Sequence, residues 1–126
     1  MKRIWAAVGL FLFAGVLCGM SLFITLHSAA ALSEQTLQVE QSLRAGAYAE
    51  SAAQLEEVSA QWERYSPILC CFFSHMQLET GDKELDGLRA SLEGKDYSRA
   101  LEHCGQLSLF WGHLREMDLP FWENIF

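Results

Sequence analysis

Among the side chains able to do chemistry, Cys71 and His75 stand four residues apart, one helical turn, and His103-Cys104 forms a second Cys/His pair farther along. Thiolate and imidazole ligands at helical spacing suit a zinc or redox site. The spacing of a dedicated site is absent, with no C-x-x-C and no H-x-x-x-H. Either Cys70 or Cys71 can be paired with Cys104 in a disulfide, which an extracytoplasmic domain permits without requiring. Packing is the stronger reading, because free Cys is among the most buried residue types and Cys104 shares a helical face with Tyr97 and Trp111. Catalytic signatures are equally thin: there is no G-x-S-x-G, no H-E-x-x-H and no Gly-rich phosphate loop. Glu56-Glu57 and Glu84-x-Asp86 fall on helix faces with no apolar pocket to tune them, so they read as solvated carboxylates. The sequence therefore predicts no enzyme, no cofactor and no metal. An extracytoplasmic enzyme or metal/redox site using His75 with Cys71 or Cys104 is the alternative.

The elements that carry these residues begin with an apolar segment. Ile4 to Leu26 is 23 residues without a charge in a chain of 126. As a helix it spans roughly 35 Å, slightly more than the ~30 Å hydrocarbon core. Met1-Lys2-Arg3 and Ala29-Ala30-Ala31 offer the start and cleavage site of a signal peptide, but the apolar run far exceeds a signal core of about 7–15 residues. A retained single-pass anchor is the better reading. The positive start and acidic remainder place the N-terminus in the cytoplasm and the following domain outside the plasma membrane. Residues 1–28 are read as cytoplasmic start and transmembrane anchor, and 29–126 as an extracytoplasmic acidic helical domain with an apolar tail. Gly15 and Gly19 form a G-x-x-x-G that would let two such helices pack as a homodimer, although glycine is common in membrane helices anyway.

After residue 32 the chain holds all 16 acids against seven bases. That balance excludes a nucleic-acid binder, which needs a basic face. A hydrophobic fraction of 51% excludes a disordered chain. Valine and isoleucine are sparse and no run alternates with period two, so a sheet is disfavoured. Instead four helical segments follow. Ala29 to Arg44 carries a stripe of Leu32, Thr36, Val39 and Leu43, and continues the membrane helix as one rod. The second runs from Ala47 to Tyr65, with Tyr48, Leu55, Val58 and Trp62 on one face. Ser66-Pro67 closes it and caps the third, which reaches Glu93 across a break or kink at Thr80-Gly81-Asp82. The apolar run Ile68-Leu69-Cys70-Cys71-Phe72-Phe73 must be buried or lie near the membrane. The fourth covers Asp96 to Glu116, with Tyr97, Cys104, Leu107 and Trp111 on one face. The expected fold is all-α: an N-terminal transmembrane helix followed by a small antiparallel bundle of about four helices in two hairpins.

The second and fourth segments echo each other at a displacement of 49 residues. Leu43 and Tyr48 match Leu92 and Tyr97, Val58 matches Leu107, and Trp62 matches Trp111. The phrase Gly94-Lys95-Asp96-Tyr97-Ser98-Arg99-Ala100-Leu101 resembles the inter-helix turn of a tetratricopeptide repeat, though the period is longer than the ~34 residues of that repeat. The tail Leu119-Pro120-Phe121-Trp122-Glu123-Asn124-Ile125-Phe126 is largely apolar. Pro120 breaks the helix, and the tail is expected to cap the bundle near Phe72-Phe73, or else to dock on a partner or the membrane.

Trp62, Ser74-His75, the helix Leu85 to Leu92 and the closing Asn124-Ile125-Phe126 together resemble the family catalogued as domain of unknown function 4363, small membrane-anchored proteins of clostridia and relatives. The sequence departs from that pattern in Ser74-His75-Met76-Gln77, which lacks an acid after the His, in Trp122 and in its cysteines. The resemblance implies a location and a fold rather than an activity, and through neighbouring multi-pass membrane proteins it implies another membrane or envelope protein as partner. Trp62, His75, Trp111, Phe121, Trp122, Asn124, Ile125 and Phe126 are the candidate interaction or structural residues, within a membrane-tethered helical interaction or scaffold protein.

Overall fold

The computed structural model describes residues 1–71 and 73–118. Four helices account for nearly all of them: α1 (Lys2–Arg44), α2 (Tyr48–Leu69), α3 (His75–Glu93) and α4 (Tyr97–Asp118). The apolar segment and the first amphipathic segment are one continuous helix of 43 residues. Nothing between them breaks it, since the junction His27-Ser28-Ala29-Ala30-Ala31 contains neither Gly nor Pro. The expected stripe Leu32, Thr36, Val39 and Leu43 is buried, and burial extends back along the same face to Ala29, Ser28, Thr25 and Ser21.

The helices pack as a ring. α1 lies against α2 and α4, α3 lies against α4, and a narrower contact joins α2 to α3. The core is built from Leu32, Leu55, Leu88 and Leu107 around the two indoles, with Trp62 2% and Trp111 1% exposed.

The two hairpin turns are built alike. In the first, Gly46 N–H donates to Leu43 O (3.2 Å) and Ala47 N–H to Ser42 O (2.9 Å). In the second, Lys95 N–H donates to Leu92 O (3.2 Å) and Asp96 N–H to Ser91 O (2.9 Å). Each is a Schellman closure at the 49-residue displacement, and each needs one left-handed residue. Gly46 takes that place at φ 78, and Lys95 takes it at φ 58. Gly94, one residue earlier, is right-handed at φ −80. The equivalent of Gly46 is thus a lysine, not the glycine beside it.

Two boundaries differ from the sequence reading. Ser66-Pro67 does not separate α2 from α3; Pro67 lies inside α2, which continues to Leu69. A proline costs a helix a backbone hydrogen bond, but continuation carries Leu69, two turns beyond Trp62, into full burial. The break comes at Ser74, the N-cap of α3. Gln77 N–H donates to Ser74 Oγ (3.3 Å) and Ser74 N–H donates to Gln77 Oε1 (3.0 Å), a reciprocal capping box. The second correction concerns Thr80-Gly81-Asp82, which is uninterrupted helix. Gly81 is there for space: a Cβ would lie 2.6 Å from Phe110 Cε1 and 3.0 Å from Trp62 Cζ2.

Candidate functional site

The two indoles form the centre of the bundle. Their ring centroids are 5.2 Å apart with planes inclined at 53°. A buried indole N–H needs an acceptor, and the two find different ones. Trp62 Nε1–H donates to Asp82 Oδ1 across the α2–α3 contact at 2.6 Å. Trp111 Nε1–H donates to Thr36 Oγ1 on α1 at 2.9 Å, and that hydroxyl donates in turn to Leu32 O at 2.8 Å. Phe110 packs edge-on against Trp62, with centroids 5.8 Å apart at 79°. Toward the hairpin turns, Tyr48 and Tyr97 stack face to face with centroids 3.6 Å apart and planes within 3°. Equivalent residues of the two hairpins therefore meet each other at both levels, as they do across a local twofold axis.

That symmetry is broken at one place. The pairing of α1 with α4 corresponds to the pairing of α3 with α2, yet the first is broad and the second narrow. Between α2 and α3 this leaves an open groove of about 410 Å³, floored by Leu55 and Leu92, with Ala52 and Ala53 on one wall and the Tyr48–Tyr97 stack at its end. Its rim carries Glu56, Arg89 and Glu93. Arg89 bridges the two helices, with Nε 3.2 Å from Glu56 Oε1 and Nη2 donating to Ser59 Oγ at 3.2 Å. The groove is thus apolar within and charged along its edge.

The residues singled out for Cys/His chemistry are dispersed. Cys71 is exposed in the turn after α2, and His75 is the exposed first residue of α3. Cys104 is fully buried on α4, and all four cysteines are free. Burial, then the neighbouring Glu40 carboxylate, pushes the Cys104 thiol from 9.0 up to about 12, which keeps it protonated and unreactive at neutral pH. His103 faces away from that thiol's surroundings: it lies over Gly87, where a Cβ would come within 2.5 Å of its ring, and its Nδ1 is 2.7 Å from Glu84 Oε2. Among the described residues no three His, Cys, Asp or Glu side chains converge on a common point suited to a metal ion. In the apolar half of α1, Gly15 and Gly19 have nothing near their missing Cβ positions, so a backbone approach there is sterically open. Phe121, Trp122, Asn124, Ile125 and Phe126, and Phe72 of the expected capping site, lie outside the described residues.

Asp82, Glu84 and Arg89 were missed as partners in the sequence. Only Asp82 had a signal, since a Trp at a core position implies a nearby acceptor.

The sequence pattern of a domain of unknown function, DUF4363, matches residues 20–125. The chain belongs to this family. The match starts where burial on α1 begins, at Ser21, so it takes in the packed part of α1 and leaves out most of the exposed apolar stretch before it. No curated protein and no solved structure matches the chain.

Proposed function

We propose that the chain is a membrane-tethered helical module that presents its α2–α3 groove to a partner protein in the membrane or envelope. The observation that carries this reading is the continuity of α1. Among the described residues one helix, α1, is long and apolar enough to cross a membrane, and the same helix packs against both α2 and α4 in the bundle. A tether that is also a structural member holds the bundle at a fixed height and orientation, which suits a docking platform better than a freely diffusing enzyme. The charge asymmetry between Lys2-Arg3 and the acidic bundle supports a cytoplasmic start with the bundle outside. The groove supports the docking role because its internal counterpart, between α1 and α4, is closed by packing, so an apolar helix of a partner is the complementary occupant.

Alkaline extraction of membranes tests the tether: the chain is expected in the pellet, and release into the supernatant overturns the reading. A photo-crosslinking residue at Ala53, inside the groove, is expected to give a discrete adduct with a membrane protein that the same residue at exposed Glu102 on α4 does not give. Equal adducts at both positions contradict the assignment of the groove.

A further inference from the structure

The bundle and the apolar stretch of α1 overlap. Ile4 to Leu26 carries no charge, yet α1 already buries Ser21 and Thr25 against the bundle. Residues 21–26 therefore belong to both, and they span about 9 Å of helix. Without them the exposed apolar stretch, Ile4 to Met20, reaches only about 26 Å, short of the ~30 Å hydrocarbon core. A helix crossing a bilayer thus draws part of its packed segment into it, together with whatever packs there.

The α2–α3 turn sits at that depth. α2 runs back along α1 from Gly46, so with equal rise Leu69 comes level with about residue 23 of α1. Leu69 is fully buried, while Phe23 points outward at 68% exposure. The turn and its flanks expose Ile68 at 42% and Met76 at 79%, with Cys70 and Cys71 also exposed. Tyr65 to Leu78 is also the longest run after residue 32 without an Asp, Glu, Lys or Arg. In an acidic bundle, apolar side chains and an absence of formal charge coincide at the α2–α3 turn, while Arg115 and Glu116 in the last turns of α4 keep the neighbouring edge of that end charged.

We propose that the α2–α3 turn is a lipid-facing surface, with Ile68, Cys70, Cys71 and Met76 seated in the outer interface of the bilayer that α1 crosses. The inference rests on the tethered reading above and adds a second membrane contact to it. Apolar elements of this kind settle about 5–10 Å into the headgroup and acyl boundary, the depth the overlap on α1 requires. Two contacts, the span and the turn, fix the tilt of the bundle against the membrane plane as well as its height.

The test uses the full chain in phosphatidylcholine vesicles. A polarity-sensitive fluorophore is placed on Cys71 in a Cys18→Ser, Cys70→Ser chain, and on a Lys95→Cys site at the opposite end of the bundle with Cys71→Ser added. Lipids spin-labelled near the headgroup are expected to quench the Cys71 probe and to leave the Lys95→Cys probe unquenched. Adding Ile68→Asp and Met76→Asp is expected to abolish quenching at Cys71 with the helical circular dichroism retained. A vesicle-bound chain whose Cys71 probe emits as in water overturns the inference and leaves the tether standing. So does an apolar emission that lipid labels do not quench, which assigns the surface to a protein partner or a second copy. A chain that does not float with vesicles overturns the tether and this inference together.

Discussion

Replacing Trp111 separates packing from hydrogen bonding at the centre of the bundle. Trp111 is 1% exposed, touches Trp62 and Phe110, and donates to Thr36. Trp111→Ala removes the whole ring from a site enclosed by helices, and such truncations cost about 3–5 kcal/mol. Trp111→Phe keeps most ring contact and loses the N–H. Thr36 Oγ1 retains its bond to Leu32 O, so no buried group is orphaned and the loss is about 1–2 kcal/mol. For a domain near 100 residues each kcal/mol moves Tm by roughly 4–8 °C, so Ala is expected to lower Tm by more than about 12 °C and Phe by about 4–16 °C. Far-UV circular dichroism during heating, in one detergent throughout, reads both. Because the two indoles are in contact, Trp62→Ala with Trp111→Ala is expected to cost less than the sum of the singles. A Trp111→Ala protein that melts with the parent refutes the packing argument, and a Phe variant as damaged as the Ala variant shows that the Thr36 bond, not ring volume, carries the site.

Lys95→Gly is expected to raise stability by about 1 kcal/mol, since Lys95 holds a left-handed φ of 58 that glycine adopts freely, while Gly46→Ala at φ 78 is expected to lower it by a similar amount. Ser74→Ala removes half of the capping box and is expected to cost about 1 kcal/mol, checked by urea denaturation. Cys104 is expected to resist maleimide in the folded chain and to react once the chain is unfolded. Its thiol stays protonated to about 12 when folded but ionises near 9.0 when unfolded, so that contribution to stability is complete below pH 9.0 and falls as pH rises toward 12. An unfolding free energy that stays flat across that window contradicts the buried assignment.

Most of the helical content was legible because the apolar stripes obey the helical period. Leu32-Thr36-Val39-Leu43, Leu55-Val58-Trp62 on α2 and Cys104-Leu107-Trp111 on α4 are buried as their spacing requires, whereas Tyr48, on the same face at the start of α2, remains 41% exposed. The 49-residue echo marked both turns, but not which residue turns left-handed, since a glycine adjacent to the required position reads the same as one in it. Ser66-Pro67 misled because the dipeptide fits the start of a helix as well as its last turn. Only the demand of the core for Leu69 decides between the two, and Ser74-x-x-Gln77 was the capping signature that went unused. The groove was not legible at all. It arises from the spacing between α2 and α3, and its bridge, Arg89 to Glu56, joins residues far apart in sequence. The overlap of bundle and apolar stretch was hidden for a similar reason: Ser21, Thr25 and Ser28 look like stray hydroxyls in an apolar run until their common face is seen to be buried.

The central claim is that the tether and the first helix of the bundle are one intact element. Cleavage near Ala31 would cut α1 and strip Thr25, Ser28 and Ala29 from a face that is at most 2% exposed. Intact mass spectrometry of the chain recovered from cell membranes tests this most directly. The expected result is a membrane-bound species that retains the residues preceding Ala29; a soluble species beginning near Ala31 or Leu32 contradicts it.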